Sequence, residues 1–95
     1  MPNRTTTEDS GGSVSYYVVD VKYPWDEEKE PYSAECGEIA EALEMNSFET
    51  NMLKELWRRA AARQGKKKKG NTALRGAEKL VFFSNRILIM EQRND

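Results

Sequence analysis

From residue 33 onwards, apolar residues recur at helical spacing in three stretches, and residues that stop helices separate these stretches. The spacing predicts helices over residues 33–45, 47–64 and 73–92. The second stretch begins at a capping-box sequence, Asn-Ser-Phe-Glu at residues 46–49, and Gly65 follows it as a typical helix stop. The pattern therefore predicts a three-helix domain.

The same spacing predicts which face of each helix is buried. Phe82 and Ile89 fall outside the apolar stripe of the third helix, which indicates a second apolar contact, between subunits. The predicted buried positions are Cys36, Ile39, Ala40 and Leu43 in the first helix, Phe48, Met52, Leu53, Leu56, Trp57 and Ala60 in the second, and Ala77, Leu80, Val81, Phe83, Ile87 and Leu88 in the third.

The segment before the helices has a different character. Residues 14–23 are rich in β-branched and aromatic side chains, which predicts a β-strand. An unpaired strand edge is unfavourable, so we expect this strand to pair across an oligomer or with a short segment that the pattern does not reveal. Residues 1–13 are polar and are expected to be a disordered tail. The expected fold is mainly α with a short N-terminal β-strand (α+β), in one domain over residues 14–95.

Composition excludes several classes of protein. Histidine is absent and Cys36 is the one cysteine, so a zinc site and any catalytic triad with a histidine base are ruled out. The longest nearly unbroken apolar run, residues 80–83, is far too short to span a membrane. The N-terminus lacks the apolar core of a signal peptide, and a lone cysteine fits a reducing compartment. These features predict a cytoplasmic protein.

Charge is divided unevenly along the chain. Residues 1–53 carry 3 basic and 12 acidic side chains, and residues 54–94 carry 12 basic and 3 acidic ones, so the two segments have formal charges of −9 and +9. This asymmetry predicts a surface that attracts anions. Mutual neutralisation of the two segments, within the fold or across a dimer, is the alternative.

Basic residues of the last two helices are candidates for binding phosphate, because arginine and lysine side chains donate charge-assisted hydrogen bonds to it. Glu55 is expected to pair with Arg59 one turn later. The lysine-rich loop at residues 65–72 approaches a P-loop sequence but has Asn71 in place of the essential lysine. The candidate phosphate ligands are Lys54, Arg58, Arg63, Lys79 and Arg86, with Glu35 and Glu78 as supporting acids and with Tyr32 and Trp57 for stacking on a base.

Three segments of the chain resemble a known family. They are residues 32–39, the motif Lys54-x-x-Trp57-Arg58, and the sequence Ala-Glu-Lys at residues 77–79. Together they resemble small bacteriophage proteins that include a nucleoside monophosphate kinase without a P-loop. The resemblance covers residues 14–90 and implies a helical, nucleotide-binding protein of the host-cell cytoplasm, with roles for Lys54, Trp57, Arg58, Glu78 and Lys79. Gly76 stands where family members often carry an acid.

Two functions from different classes follow as hypotheses. The first is a phage-type nucleotide-binding protein, oligomeric and kinase-like, that takes Mg²⁺ together with its nucleotide. The alternative is a non-enzymatic interaction protein that inhibits a host or anti-phage defence factor or sequesters a nucleotide signal during host takeover. The acidic first half and the pI of about 5.6 argue against nucleic acid as the partner.

Overall fold

Two short strands and three α-helices follow one another in the part of the chain that the structure describes. The computed structural model describes residues 16–66, 70 and 72–94, so the predicted tail over residues 1–13 and Lys67–Lys69 lie outside the described residues. The strands are β1 (Val18–Val21) and β2 (Tyr32–Glu35), and the helices are α1 (Cys36–Ala42), α2 (Ser47–Arg63) and α3 (Ala73–Asn94). This confirms the predicted fold class, mainly α with a short N-terminal β element.

The partner of the N-terminal strand lies in the same chain. β1 and β2 are antiparallel, with Val18 opposite Glu35 and Val21 opposite Tyr32, and Ser33 Oγ donates to Asp20 Oδ1 at 2.6 Å across the pair. The second of the two expected alternatives, pairing with a short segment that the pattern does not reveal, is therefore confirmed. Residues 33–35, predicted as helix, are extended because the backbone groups of β1 need hydrogen-bond partners and this is the segment that supplies them.

The first helix is shorter than predicted. α1 ends at Ala42, where Met45 N–H donates to Ala40 O and Glu44 N–H donates to Glu41 O, both at 3.0 Å. These two bonds form a Schellman motif, which requires a left-handed residue after the helix. Glu44 occupies that position with φ of 54°.

Replacing Glu44 with glycine is expected to raise the free energy of unfolding by about 0.5–1 kcal/mol, because a side chain is strained in the left-handed region and glycine is not. Glu41→Gly is the matched control, since Glu41 lies within α1. That variant should lose roughly 1 kcal/mol of stability. Urea unfolding measures both, and equal losses in the two variants would contradict the prediction.

Helix α2 has the ends that the sequence predicts. Asn46 Oδ1 accepts from Glu49 N–H and Glu49 Oε1 accepts from Asn46 N–H, each at 2.9 Å, which confirms the capping box. Gly65 has φ of 90° and follows the C-cap residue, Gln64, as a Schellman glycine. At the start of α3, Thr72 Oγ1 accepts from Arg75 N–H at 3.1 Å.

Helices α2 and α3 pack as an antiparallel hairpin. Near the start of α2, the ring centroids of Phe48 and Phe83 lie 6.4 Å apart. Near its end, Arg59 Nη1 donates to Ala73 O at 3.3 Å. The start of α2 therefore lies against the middle of α3, and the end of α2 lies against the start of α3. None of the described helices combines the length and the apolar character that a membrane span requires.

The buried faces of both helices differ from the predicted ones. In α2 the buried residues are Glu55, Arg58 and Ala61, whereas the predicted core residues Leu56 and Ala60 are exposed. In α3, Gly76 is buried and the predicted core residues Val81 and Leu88 are exposed. Gly76 has no side chain, so the backbone of α3 can approach the Glu55 carboxylate closely. The Gly76 face of α3 therefore packs against the Glu55 face of α2.

Candidate functional site

Arg58 is the centre of a charged cluster between α2, α3 and the turn before β1. Only 7% of this residue is exposed. Its guanidinium donates from Nη2 to Glu55 Oε2, one turn earlier in α2, and from Nη1 to the Tyr17 hydroxyl. Since the two partners hold the guanidinium from different sides, its orientation is fixed by the fold.

Glu55 joins α3 to this cluster. It is 5% exposed, and its Oε2 atom lies 3.7 Å from Lys79 Nζ as well as being paired with Arg58. Two ion pairs, one from each helix, therefore end on this one carboxylate. The Lys79 side chain is 39% exposed, so its ammonium also reaches solvent.

Tyr17 brings a second helix-α2 cation into the group. Lys54 Nζ lies 5.9 Å from the centroid of the Tyr17 ring, and the Arg58 guanidinium carbon lies 5.8 Å from it. Both distances fall within the range of cation–π attraction. Burial raises the pKa of the Tyr17 phenol above its ordinary value, although the hydrogen bond from Arg58 acts in the opposite direction. The phenol is consequently neutral at physiological pH.

We define the Arg58 cluster as Tyr17, Lys54, Glu55, Arg58 and Lys79. It contains three cationic side chains and one carboxylate, so its formal charge is +2 when Tyr17 is neutral. Cys36 lies beside it, buried, and burial raises the pKa of its thiol against the opposing effect of Lys54 and Arg58. A neutral, buried thiol has a packing role here.

Two polar atoms of the Arg58 cluster are buried without a hydrogen bond. Within the described part of the chain, Glu55 Oε1 accepts none and Arg58 Nε donates none. A buried polar atom left unpaired costs about 1–3 kcal/mol. Unpaired buried polar atoms are rare in folded proteins, so these two atoms single out the Arg58 cluster as the candidate functional site.

Three of the five predicted phosphate ligands, Lys54, Arg58 and Lys79, belong to the Arg58 cluster. The other two do not. Arg63 is exposed at the end of α2 and is turned about 140° from Arg58 around the helix axis. Arg86 lies two turns beyond Lys79, where its guanidinium carbon is 6.0 Å from the Phe48 ring centroid.

The predicted supporting acids are also outside the Arg58 cluster. Glu35 precedes α1, and its N–H donates to Glu38 Oε1 at 3.1 Å in a helix-capping contact. Glu78 is exposed on α3. Among the described residues, no three cysteine, aspartate or glutamate side chains are grouped closely enough to hold a metal ion.

The predicted stacking residues lie in different parts of the fold. Tyr32 is exposed in β2, and Lys29 Nζ lies 4.1 Å above its ring. Trp57 is half-buried in α2 and is turned about 100° from Arg58 around the helix axis. The aromatic ring that accompanies the cations is Tyr17 instead.

Glu55 and Tyr17 are the members of the Arg58 cluster that the sequence pattern did not identify. Glu55 pairs with Arg58 and Lys79, so the predicted pair with Arg59 is wrong, and Arg59 contacts Ala73 O. For Glu55 the sequence does contain a signal: polar residues at 51, 54, 55 and 58 are three or four apart and therefore share one face of the helix. No comparable local signal places Tyr17 there, because it is 41 residues from Arg58 in the chain.

Comparisons with known proteins leave the phage-family resemblance as a prediction. No protein-family model, no curated protein and no solved structure matches the chain.

Proposed function

We propose that the chain binds a phosphate-bearing small molecule, a nucleotide in the first instance, at the Arg58 cluster. The observation that supports this is the grouping of three cations around one carboxylate: Arg58 and Lys79 pair with Glu55, and Lys54 lies with Arg58 against the Tyr17 ring. One carboxylate cannot neutralise three cations. The excess positive charge attracts an anion, and the low polarity of the surroundings strengthens that attraction.

The three cations have different parts in this proposal. Arg58 is buried and held by Glu55 and Tyr17, so it contributes a fixed positive field. Lys54 is half-buried and Lys79 reaches solvent, so these two ammonium groups contact the phosphate oxygens directly. Because Lys54 belongs to α2 and Lys79 to α3, a bound phosphate would bridge the two helices.

The nucleotide class comes from the resemblance to phage proteins. The Lys54-x-x-Trp57-Arg58 motif contributes two of the three cations, and the Ala-Glu-Lys segment contributes Lys79. If the protein transfers a phosphoryl group, fixed positive charge is the main contribution that this chemistry requires, with Mg²⁺ bound to the nucleotide. The proposal concerns nucleotide binding. Phosphoryl transfer at the same site would be measured separately.

Titration calorimetry at low salt, with nucleoside mono- and diphosphates and with the parent nucleosides, tests the proposal. We expect binding that requires the phosphate. Lys54→Met and Lys79→Met should each weaken it about tenfold, because a hydrogen bond to a charged group contributes about 1.5–3 kcal/mol and partial exposure reduces that contribution.

Lys22→Met is the control, since Lys22 is an equally charged residue in the exposed connection after β1. Its affinity should equal that of the wild type. The proposal fails if no phosphorylated ligand binds, or if all three lysine variants bind alike.

A further inference from the structure

Helix α3 carries a row of small and aliphatic side chains, most of which the described part of the fold leaves exposed. The row begins at Leu74 and continues at intervals of three and four residues through Ala77, Val81, Ser84 and Leu88. Leu74, Val81, Ser84 and Leu88 are exposed, and 60% of Val81 is accessible to solvent. Alternating spacing of three and four is the repeat by which one helix packs along another. We name these five residues the α3 seam.

The α3 seam faces away from α2. The residues of α3 that contact α2 include Gly76, Lys79 and Phe83. At about 100° per residue, the centre of this contacting face lies more than 120° around the helix from Val81. Packing within the described chain therefore does not account for the seam.

The cations of α3 are kept away from the seam. Arg75, Lys79, Arg86 and Arg93 fall together on one side of the helix, about 120–160° from Val81. Two seams can consequently approach each other without bringing positive charges together. The seam thus fits a partner that is itself an apolar helix of similar spacing.

The arrangement of the seam points to one partner. Leu74 and Leu88 are each seven residues from Val81, so reversing the direction of the helix places a leucine where the other leucine was. A two-fold interface requires a surface that is complementary to itself in this way. We propose that the α3 seam pairs with the α3 seam of a second copy of this chain, with the two helices antiparallel and crossing near Val81.

Charge selects the antiparallel arrangement over the parallel one. Glu91 lies three residues after Leu88 and continues the spacing of the seam. In a parallel pair the two Glu91 carboxylates would face each other, and like charges at such positions destabilise the pair. In the antiparallel pair Glu91 lies near the N-terminal end of the partner helix, where negative charge is favourable. This inference does not depend on phosphate binding.

Adjacent residues of α3 provide a matched test. Val81→Glu places a carboxylate in the seam, and Phe82→Glu places one on an equally exposed residue, 58% accessible, about 100° away around the helix. Sedimentation equilibrium of the full-length chain should show a dimer for the wild type. Val81→Glu should weaken dimerisation at least about 100-fold, whereas Phe82→Glu should change it less than about threefold.

Circular dichroism establishes that each variant remains helical. A wild-type chain that is monomeric at about 100 μM would overturn the proposal, because the dissociation constant of the dimer would then lie well above that concentration. Assembly that Val81→Glu leaves intact would overturn it too. Loss of assembly in Phe82→Glu alone would assign the interface to the Phe82 and Ile89 face instead.

Cross-linking tests the direction of the helices. Leu74→Cys and Leu88→Cys are made in a Cys36→Ala background, and each protein is treated with a short bifunctional thiol reagent alone and in a mixture. In an antiparallel pair, residue 74 of one copy lies near residue 88 of the other and at least about 20 Å from residue 74. We expect cross-links in the mixture only. Cross-linking of each variant with itself would show a parallel pair and overturn the antiparallel proposal.

Discussion

Replacing Glu55 with glutamine is expected to lower the free energy of unfolding by about 3–5 kcal/mol, because it leaves a buried guanidinium without its carboxylate. Arg58 is 7% exposed and cannot turn to water without disrupting its bond to Tyr17. Domains of this kind have a total stability of only about 5–15 kcal/mol. The loss should therefore appear as a large shift of the urea midpoint at unchanged slope.

The matched control is Glu78→Gln, which makes the same chemical change at an exposed residue of α3. It should alter stability by no more than about 0.5 kcal/mol. Similar losses in the two variants would mean that the Glu55–Arg58 pair has no particular importance. A phosphorylated ligand should restore part of the lost stability of Glu55→Gln, since the ligand supplies negative charge to the same cations.

Removing both charges at once separates folding from binding. Buried ion pairs can often be replaced by apolar residues of similar volume with little loss, because both desolvation penalties disappear together. The double variant Glu55→Leu with Arg58→Met should therefore recover most of the stability that Glu55→Gln loses. It should still bind phosphate poorly, since the fixed positive field of Arg58 is gone.

The ends of α2 could be predicted from the sequence, because short segments determine them. The capping box at Asn46 and the Schellman glycine at Gly65 each require only hydrogen bonds within one or two turns. Glu44 shows the limit of this approach. A left-handed glutamate gives no signal in the sequence, so the early end of α1 is visible only in the structure.

The buried faces of the helices could not be predicted in the same way. Apolar spacing favoured the side of α2 that includes Leu56, but the structure buries the side that includes Glu55 and Arg58. The choice depends on Gly76, about twenty residues away, which permits close approach of α3 to the Glu55 carboxylate. β2 is a similar case, since its extended form depends on pairing with β1 rather than on its own residues.

In the candidate site, too, contacts within one helix could be predicted and contacts between distant segments could not. Lys54 and Arg58 are one turn apart on one helix, so their proximity follows from spacing alone. Lys79 joins them through packing of α3 on α2, and Tyr17 through the fold of the N-terminal segment. The cations carried a compositional signal because the basic residues are concentrated after residue 53. Charge composition does not indicate Glu55 or Tyr17, the two residues that hold Arg58 in place.

Gly76 is expected to be the least replaceable residue of α3. A Cβ atom added there would lie 3.1 Å from Glu55 Oε1, which is closer than an unstrained contact. Gly76→Val adds further carbon atoms at the same place, so it must push α3 outward or displace the carboxylate from Arg58 and Lys79. We expect a loss of roughly 2–3 kcal/mol, the range for overpacking combined with disturbance of a buried pair.

Alanine at two helical glycines provides the control for this effect. A Cβ atom at Gly37 meets nothing within 4 Å, so Gly37→Ala should stabilise the protein by about 0.5–1 kcal/mol through helix propensity. Gly76→Ala has the same propensity gain but must displace the Glu55 carboxylate, so its net effect should be smaller or negative. Equal gains in both alanine variants under urea unfolding would show that the Glu55 carboxylate yields easily. In that case the close approach of α3 would not hold the Arg58 cluster in place.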